Sequence, residues 1–476
     1  MRQLLCYAII FTAIYLVPFQ SVKGQQSDTI PRLLTLEDAA ALLHNNNRAI
    51  QIAQEGIKGA TAEKQQLNAT WYPFISASGG YIHTSNNISA KANLGNLASD
   101  IIGEFPSLGQ LLPQLEQIIT SLGSITLSIP LLEQNLTTID AIAVWPIITG
   151  GKRIYASRIG NNLEQTAEHL YTSVYNTQMA LMINAYYTLK LANQVARMQQ
   201  ENLQYMEKLH TNASRLKEEG FINKAEYLVV LVAKEEATRE FESSKENCKV
   251  ALMALNTILG TNISALPCSP FLLPDSTSSI NYNNLILTNN AQLKILHTQQ
   301  EITENRKKIA IADYFPNIAL IARQNLYSHN IPSNLLPRSM AGATFQWNIF
   351  NGLYREKEIQ KTNITQRELQ LATKQTEMEL ITAASSLQSK MEDARYNIST
   401  LNLTVKLTKE LLREREKSFA EGMCTSTEVV DAKTGLLKAE TALTLAHWQY
   451  NASLANLLAL CSNTEQFIEM LYESKQ

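Results

Sequence analysis

The sequence predicts a mainly α-helical, internally duplicated protein, in which long antiparallel coiled-coil hairpins are joined to a few strands suited to a membrane barrel. Three observations predict it. Very long stretches contain neither Gly nor Pro, blocks of sequence recur in the same order in both halves, and segments of alternating polarity end in aromatic residues.

The chain has 476 residues, 45 % of them hydrophobic, which is enough for a sizeable core. A formal net charge of −2 and the absence of any Lys/Arg block give no electrostatic reason to bind nucleic acid. The opening "MRQLLCYAIIFTAIYLVPFQSVKGQQ" reads as a secretory signal peptide over residues 1–24, with Arg2, an apolar run from Leu4 to Val17, and Val22 and Gly24 at the cleavage point. Cys6 lies inside the apolar run, which argues against lipoprotein-type acylation. No later window offers the ~18 apolar residues of a membrane-spanning helix. Cys248, Cys268, Cys424 and Cys461 are too few and too scattered for a disulfide framework and are expected to act as small apolar residues.

The duplication organises everything else. "LLHNNNRAIQIAQEGI" (Leu42 to Ile57) resembles "LILTNNAQLKILHTQQEI" (Leu285 to Ile302), and "TWYPFISAS" (Thr70 to Ser78) resembles "DYFPNIALI" (Asp313 to Ile321). The halves continue with "WPIITGGKR" (Trp145 to Arg153) against "WNIFNGLYR" (Trp347 to Arg355). They then match "KEEGFINKAEYLVV" (Lys217 to Val230) with "FAEGMCTSTEVVDA" (Phe419 to Ala432). The repeats are placed at 25–267 and 268–476, with an insertion at 87–139 in the first.

Each repeat reads as helix, strand, strand, long helix, glycine turn, long helix. Gly and Pro are missing from Asn161 to Glu219, Phe221 to Leu259 and Leu353 to Glu421, as their cost of ~1 and ~3 kcal/mol in a helix interior requires. Helices of that length need neighbours along a seam, and apolar positions at three- and four-residue spacing supply one. The hairpins are expected to turn near 220 and 422.

Strands are expected around 71–83, 139–149, 314–326 and 340–350. "MAGATFQWNIF" (Met340 to Phe350) alternates small or polar residues with an apolar set ending in Phe345, Trp347 and Ile349. A core-facing strand of a soluble sheet would read the same way. A barrel strand needs ~9 to 11 such residues with aromatics at the interface, and this segment has them. Four strands cannot close a membrane barrel, so several chains would share one.

After Gly422, Glu428 and Asp431 stand three residues apart on one helix face. By themselves they suit a catalytic pair, a cation site or a solvated first helical turn favoured by the macrodipole.

With these motifs the chain resembles the TolC family of outer-membrane efflux proteins, over nearly its whole length after the leader. The resemblance rests on the duplication, the aromatic-Pro strand starts Tyr72-Pro73 and Phe315-Pro316, and the strand ends Trp145 to Gly150 and Trp347 to Gly352. It also rests on the turns at Gly220 and Gly422. It implies a homotrimer whose protomers each give four strands to one 12-stranded barrel in the outer membrane, with the hairpins forming a periplasmic α-barrel tunnel. It implies an exit duct for a tripartite efflux or type I secretion system, with outer-membrane lipid around the barrel. The implied partners are a periplasmic adaptor (membrane fusion protein) and an inner-membrane transporter of RND, ABC or MFS type. It places an acidic ring at the closed entrance on Glu428 and Asp431, where Glu428 stands for a more familiar aspartate. Adaptor contacts are expected at the tips Glu219, Gly220, Phe221, Glu421, Gly422 and Met423.

In the first repeat Glu226 matches Glu428, but Val229 stands opposite Asp431, so only the second hairpin carries the pair. The apolar, Pro- and Gly-interrupted insertion departs from the family's short loop and is expected to cap the extracellular mouth or to join protomers. No metal-ligand spacing, nucleophile elbow or phosphate loop is present, so neither catalysis, a metal nor a cofactor is expected. A periplasmic coiled-coil adaptor or structural protein is the competing reading. Two hairpins with little other β material weigh against it.

Overall fold

The computed structural model describes residues 32–83, 85, 91–93, 126–128, 135–272, 281–330 and 337–473. The signal peptide at 1–24 lies outside them, and so does most of the insertion. Within each repeat one helix of 67 residues turns back on a shorter one. The chain runs through β1 (Arg32–Leu34), α1 (Leu36–Asn46), α2 (Arg48–Asn68), β2 (Phe74–His83), β3 (Lys91–Asn93), β4 (Thr126–Ser128) and β5 (Asn135–Ile148). The first long hairpin follows, α3 (Lys152–Glu218) and α4 (Lys224–Leu259). β6 (Ala265–Pro267) ends the first repeat, and the second continues with α5 (Tyr282–Asn289), α6 (Ala291–Ala312), β7 (Asn317–His329) and β8 (Ser339–Gln346). The second hairpin, α7 (Tyr354–Ala420) and α8 (Ser426–Leu460), and a short α9 (Gln466–Glu473) complete it. A helix of 67 residues spans roughly 100 Å at 1.5 Å per residue.

Several element limits differ from the sequence reading. β2 and β7 begin at Phe74 and Asn317 rather than at 71 and 314, because Tyr72 N and Phe315 N still donate back into the preceding helical turns, to Ala69 O and Ala312 O. β5 begins at Asn135, inside the segment read as insertion, because it pairs without a break against β2 up to His83. Tyr81 Oη donates to Asn135 Oδ1 at 2.7 Å in that stretch. β8 ends at Gln346, since its partner there, Asn317, is where β7 begins. Trp347 to Phe350 are therefore outside the strand. The first long helix also starts earlier than the Gly-free run, at Lys152, and passes through Gly160. A Cβ there would stand 3.0 Å from Lys64 Cα, so the glycine lets α2 pack against α3.

The sheet has the order β2-β5-β7-β8, all antiparallel, so its centre joins one strand from each repeat. Alternation sorts its faces. Ile75, Ala77, Ala141, Ala143, Leu320, Ala322, Ala341 and Phe345 share one face, and Ile75, Leu320 and Phe345 on it are exposed. The opposite face is mixed, carrying Ser76, Ser78, Asp140, Arg323, Asn325, Thr344 and Gln346 together with Ile142, Val144, Ile321 and Met340.

Partway along the hairpins lies a second structural level that sequence periodicity does not announce. β1 pairs in parallel with β6, and α1, α9 and the ends of α4 and α8 gather around the middle of α3. Tyr186, Tyr187 and Phe467 are fully buried there. Their polar ends are satisfied: Tyr186 Oη donates to Leu34 O at 2.7 Å and accepts from Ser269 N at 2.9 Å, and Tyr187 Oη donates to Pro270 O at 2.9 Å. The duplication persists in detail. Asn47 and Asn290 each cap the following helix and donate to the end of the returning helix, at Ile258 O (2.7 Å) and Leu460 O (2.9 Å). Among the described residues, Cys248, Cys268, Cys424 and Cys461 are free. Cys461 is buried, whereas Cys268 is exposed and so departs from the expected apolar role.

Candidate functional site

Both hairpin tips are built by the same local chemistry. At the end of α3, Gly220 takes a left-handed φ of +80°, Phe221 N donates to Leu216 O at 2.8 Å and Gly220 N donates to Lys217 O at 3.1 Å. At the end of α7, Gly422 has φ +73°, Met423 N donates to Ser418 O at 2.8 Å and Gly422 N donates to Phe419 O at 3.1 Å. This pairing satisfies the last helix carbonyls, and glycine is needed because a side chain resists that φ. The next helix is then started by Asn223, which accepts from Glu226 N at 2.9 Å, and by Thr425, which accepts from Glu428 N at 3.4 Å.

The two tips lie side by side. Met206, Leu209, Val230, Leu412, Val429 and Leu436 form one core drawn from all four long helices. Ser426, fully buried, donates its Oγ to Glu226 O across the hairpins at 3.2 Å. Between the tips runs an open groove of about 1000 Å³, whose lining includes Arg215, Phe221, Glu226, Glu416, Met423 and Glu428. Phe221 and Met423 are exposed at its rim. Burial and a hydrogen bond to Glu416 push the Tyr205 hydroxyl above its ordinary range. Burial, reinforced by the Glu428 charge, also pushes the Cys424 thiol up.

Glu428 and Asp431 occupy the first turns of α8, but they differ. Glu428 Oε2 accepts from Arg415 Nη1 at 2.5 Å, so its charge is compensated within its own hairpin. Asp431 is exposed and has no ion pair among the described residues.

At the other end of the hairpins, the strand-to-helix junction is also built twice. Trp145 Nε1 donates to Trp71 O at 3.0 Å, and Trp347 Nε1 donates to Tyr314 O at 3.0 Å. Over those same aromatic rings lie two guanidinium groups, Arg153 on Trp71 and Arg355 on Tyr314, each 4.3 Å from the ring centre. Arg355 is buried and donates to Asp313 O, Asn348 O and Ile349 O at 3.0, 2.9 and 2.8 Å; Arg153 donates to Ile147 O at 2.6 Å. An ion pair between Lys152 and Asp313 links the repeats. Tyr72, Phe315 and Trp347 form an exposed aromatic collar with Phe74 and Phe350. Such a collar suits a bilayer interface.

The sequence reading missed both arginines, although each closes a matched block. Gly150 and Gly352 lie in the turns that lead into α3 and α7, with φ of +60° and +67°. A Cβ on Gly150 would meet Ala312 O at 2.6 Å, whereas one on Gly352 would meet nothing within 4 Å. Among the described residues no group of His, Cys, Asp and Glu could hold a metal ion, and no helix is long and apolar enough to cross a membrane.

Residues 283–463 match the family model for outer membrane efflux protein. No curated protein matches the sequence. Among solved structures, the chain is similar to CusC, in a study of transmembrane channel formation, with TM-score 0.72 and 14 % identity, covering 90 % of this chain and 92 % of that one. It is similar to the Campylobacter jejuni CmeC outer membrane channel, with TM-score 0.70 and 14 % identity over 92 % of this chain and 89 % of that one. It is also similar to the outer membrane protein VceC of Vibrio cholerae, with TM-score 0.71 and 14 % identity over 90 % of this chain and 96 % of that one. The second repeat is thus similar to the outer membrane efflux protein family, and along nine-tenths of its length the chain has the fold of these outer membrane channels.

Proposed function

We propose that the chain is one protomer of a homotrimeric exit duct that passively conducts substrates from an inner-membrane transporter and a periplasmic adaptor to the exterior. One observation carries the reading: β2 and β8 are open edges of a four-stranded sheet whose apolar face is exposed. Open edges and a lipid-suited face are stable in a bilayer only when further copies close the sheet into a barrel. Along α7, exposed Ile364, Leu371 and Met378 recur every seven residues and offer a seam to a neighbouring copy.

The groove between the tips is the adaptor site in this reading, with Glu219, Gly220, Phe221, Glu421, Gly422 and Met423 at or beside its rim. Asp431 and Glu428 supply the entrance ring; with Glu428 balanced by Arg415, the exposed Asp431 of each copy carries the net charge that draws in cations and repels anions. No residue is assigned a catalytic part. The energy for transport comes from the inner-membrane partner.

Outer-membrane fractions are expected to contain trimers that survive heating in mild detergent, and the purified trimer is expected to give cation-favouring conductance in a planar bilayer. Recovery as a soluble periplasmic monomer would refute the reading. Deleting residues within 94–125 of the insertion is expected to alter conductance or assembly, and an unchanged trimer with unchanged conductance would remove its assigned role at the mouth.

A further inference from the structure

Halfway along the sheet, at the joint between the two repeats, sits an ion pair that the duct reading does not use. Arg323 Nη2 donates to Asp140 Oδ2 at 2.8 Å, and the two side chains are only 8 % and 10 % exposed. Asn325 Nδ2 donates to Asp140 Oδ1 at 2.9 Å, and Thr138 Oγ1 donates to Asp140 Oδ2 at 2.9 Å. Asn325 Nδ2 also reaches Thr138 Oγ1 at 3.1 Å. Asp140 pairs with Asn325 and Ile142 with Arg323 in regular register, so the cluster's side chains share one face; the β5–β7 register shifts just beyond it, between Ile139 and Asp140, where β7 carries the extra residue Leu326.

The cluster lies on the mixed face of the sheet, opposite the apolar one, which has no charged residue. Arg323 is in the middle of the 13 residues of β7, roughly 20 Å along the strand from its start. With the usual barrel tilt, that is mid-depth in a hydrocarbon layer about 30 Å thick. A charge on the apolar face at this depth would be strongly disfavoured against lipid. The apolar face has none in its central stretch; its polar residues Gln324 and Ser339 hydrogen-bond each other at 2.5 Å. When the sheet closes, the Asp140–Arg323 side therefore faces the lumen.

We infer that Asp140 and Arg323 form a self-neutralised lumenal ring at mid-membrane, which keeps the barrel electrically silent and leaves ion discrimination to the periplasmic entrance. The inference rests on the barrel reading above. Removing one partner exposes one unpaired charge per protomer to the conducting path. A unit charge about 10 Å from an ion in water changes that ion's occupancy roughly twofold.

The test is the cation-to-anion permeability ratio of the trimer in planar bilayers under a KCl gradient. Arg323→Gln is expected to raise the ratio about twofold or more, Asp140→Asn to lower it by a similar factor, and the double variant to return it to the wild-type value. The charge exchange, Asp140→Arg with Arg323→Asp, keeps the ring neutral and is expected to leave the ratio unchanged. Conducting trimers whose ratio moves in neither single variant would overturn the silent ring, leaving a structural pin only. If a single variant fails to assemble, the comparison of wild type with the double variant decides, since a changed ratio there overturns the inference. Absence of any conductance in the wild type would instead count against the duct reading itself.

Discussion

The two repeats build the same junction and the same turn from matched residues, yet they fasten them differently. In the first repeat the strand end is wedged: Gly150 touches the end of α6 so closely that no side chain fits. In the second the equivalent Gly352 is open, and the fastening is done by Arg355 through three carbonyls. A duplicated sequence therefore does not imply duplicated energetics. Matched positions carry close packing in one half and hydrogen bonding in the other.

The largest expected effect tests the wedge. Gly150→Ala should lower stability by about 3 kcal/mol, combining an unfavourable left-handed φ with overpacking. Gly352→Ala should cost only about 1 kcal/mol, the conformational part. Thermal melts of the purified protein decide it, and equal losses would break the contrast. Next comes the clamp. Arg355→Met should cost about 2 kcal/mol, because buried carbonyls lose charged donors, and Arg153→Met less than about 1 kcal/mol.

At the tips the contrast lies within one hairpin. In the proposed duct, Asp431→Asn should weaken cation preference more than Glu428→Gln, because Arg415 already balances Glu428. Arg415→Gln should strengthen that preference. Equal effects of the two acidic substitutions in bilayer recordings would show that the ion pair does not hold in the conducting state.

Acid sensitivity is built into both repeats, by different surroundings. Burial holds His447, on α8, below its ordinary value, and its ring stacks on Phe271 at 5.7 Å between centroids. Burial likewise lowers His169, on α3, with the charge of Lys294 adding to the effect. For both, the unfolded chain takes up the proton first as pH falls below about 6.5. Stability is thus complete above that pH and is lost as pH falls through the lower folded value. His447→Gln should flatten part of the fall in melting temperature between about pH 7 and 5, and the double variant with His169→Gln should flatten more of it. The smallest effect concerns Leu353, which takes φ +65° where the first repeat has Gly151 at +90°. Leu353→Gly should stabilise by a few tenths of a kcal/mol, the strain relief being partly offset by added freedom in the unfolded chain.

Much of this was legible residue by residue. "EEGF" and "AEGM" announce glycine-terminated helices, and "INKAE" and "CTSTE" announce the caps that begin the next ones, because both motifs depend on close neighbours in the chain. The matched Asn47 and Asn290 were visible inside the first repeated block, though their partners Ile258 and Leu460 were not. The arginine clamps were hidden for the same reason: an arginine after a turn looks solvated until the aromatic ring from another strand lies beneath it.

The sequence by itself determined the helices, the turns, the alternation of the strands and the duplication, since each follows from propensity and short-range periodicity. Only the tertiary structure decided that Glu428 is balanced and Asp431 is not, that Arg323 finds Asp140 on the adjacent strand, and that Gly150 is wedged while Gly352 is free. Those outcomes depend on distances that are set only when helices and strands pack, which no local pattern encodes.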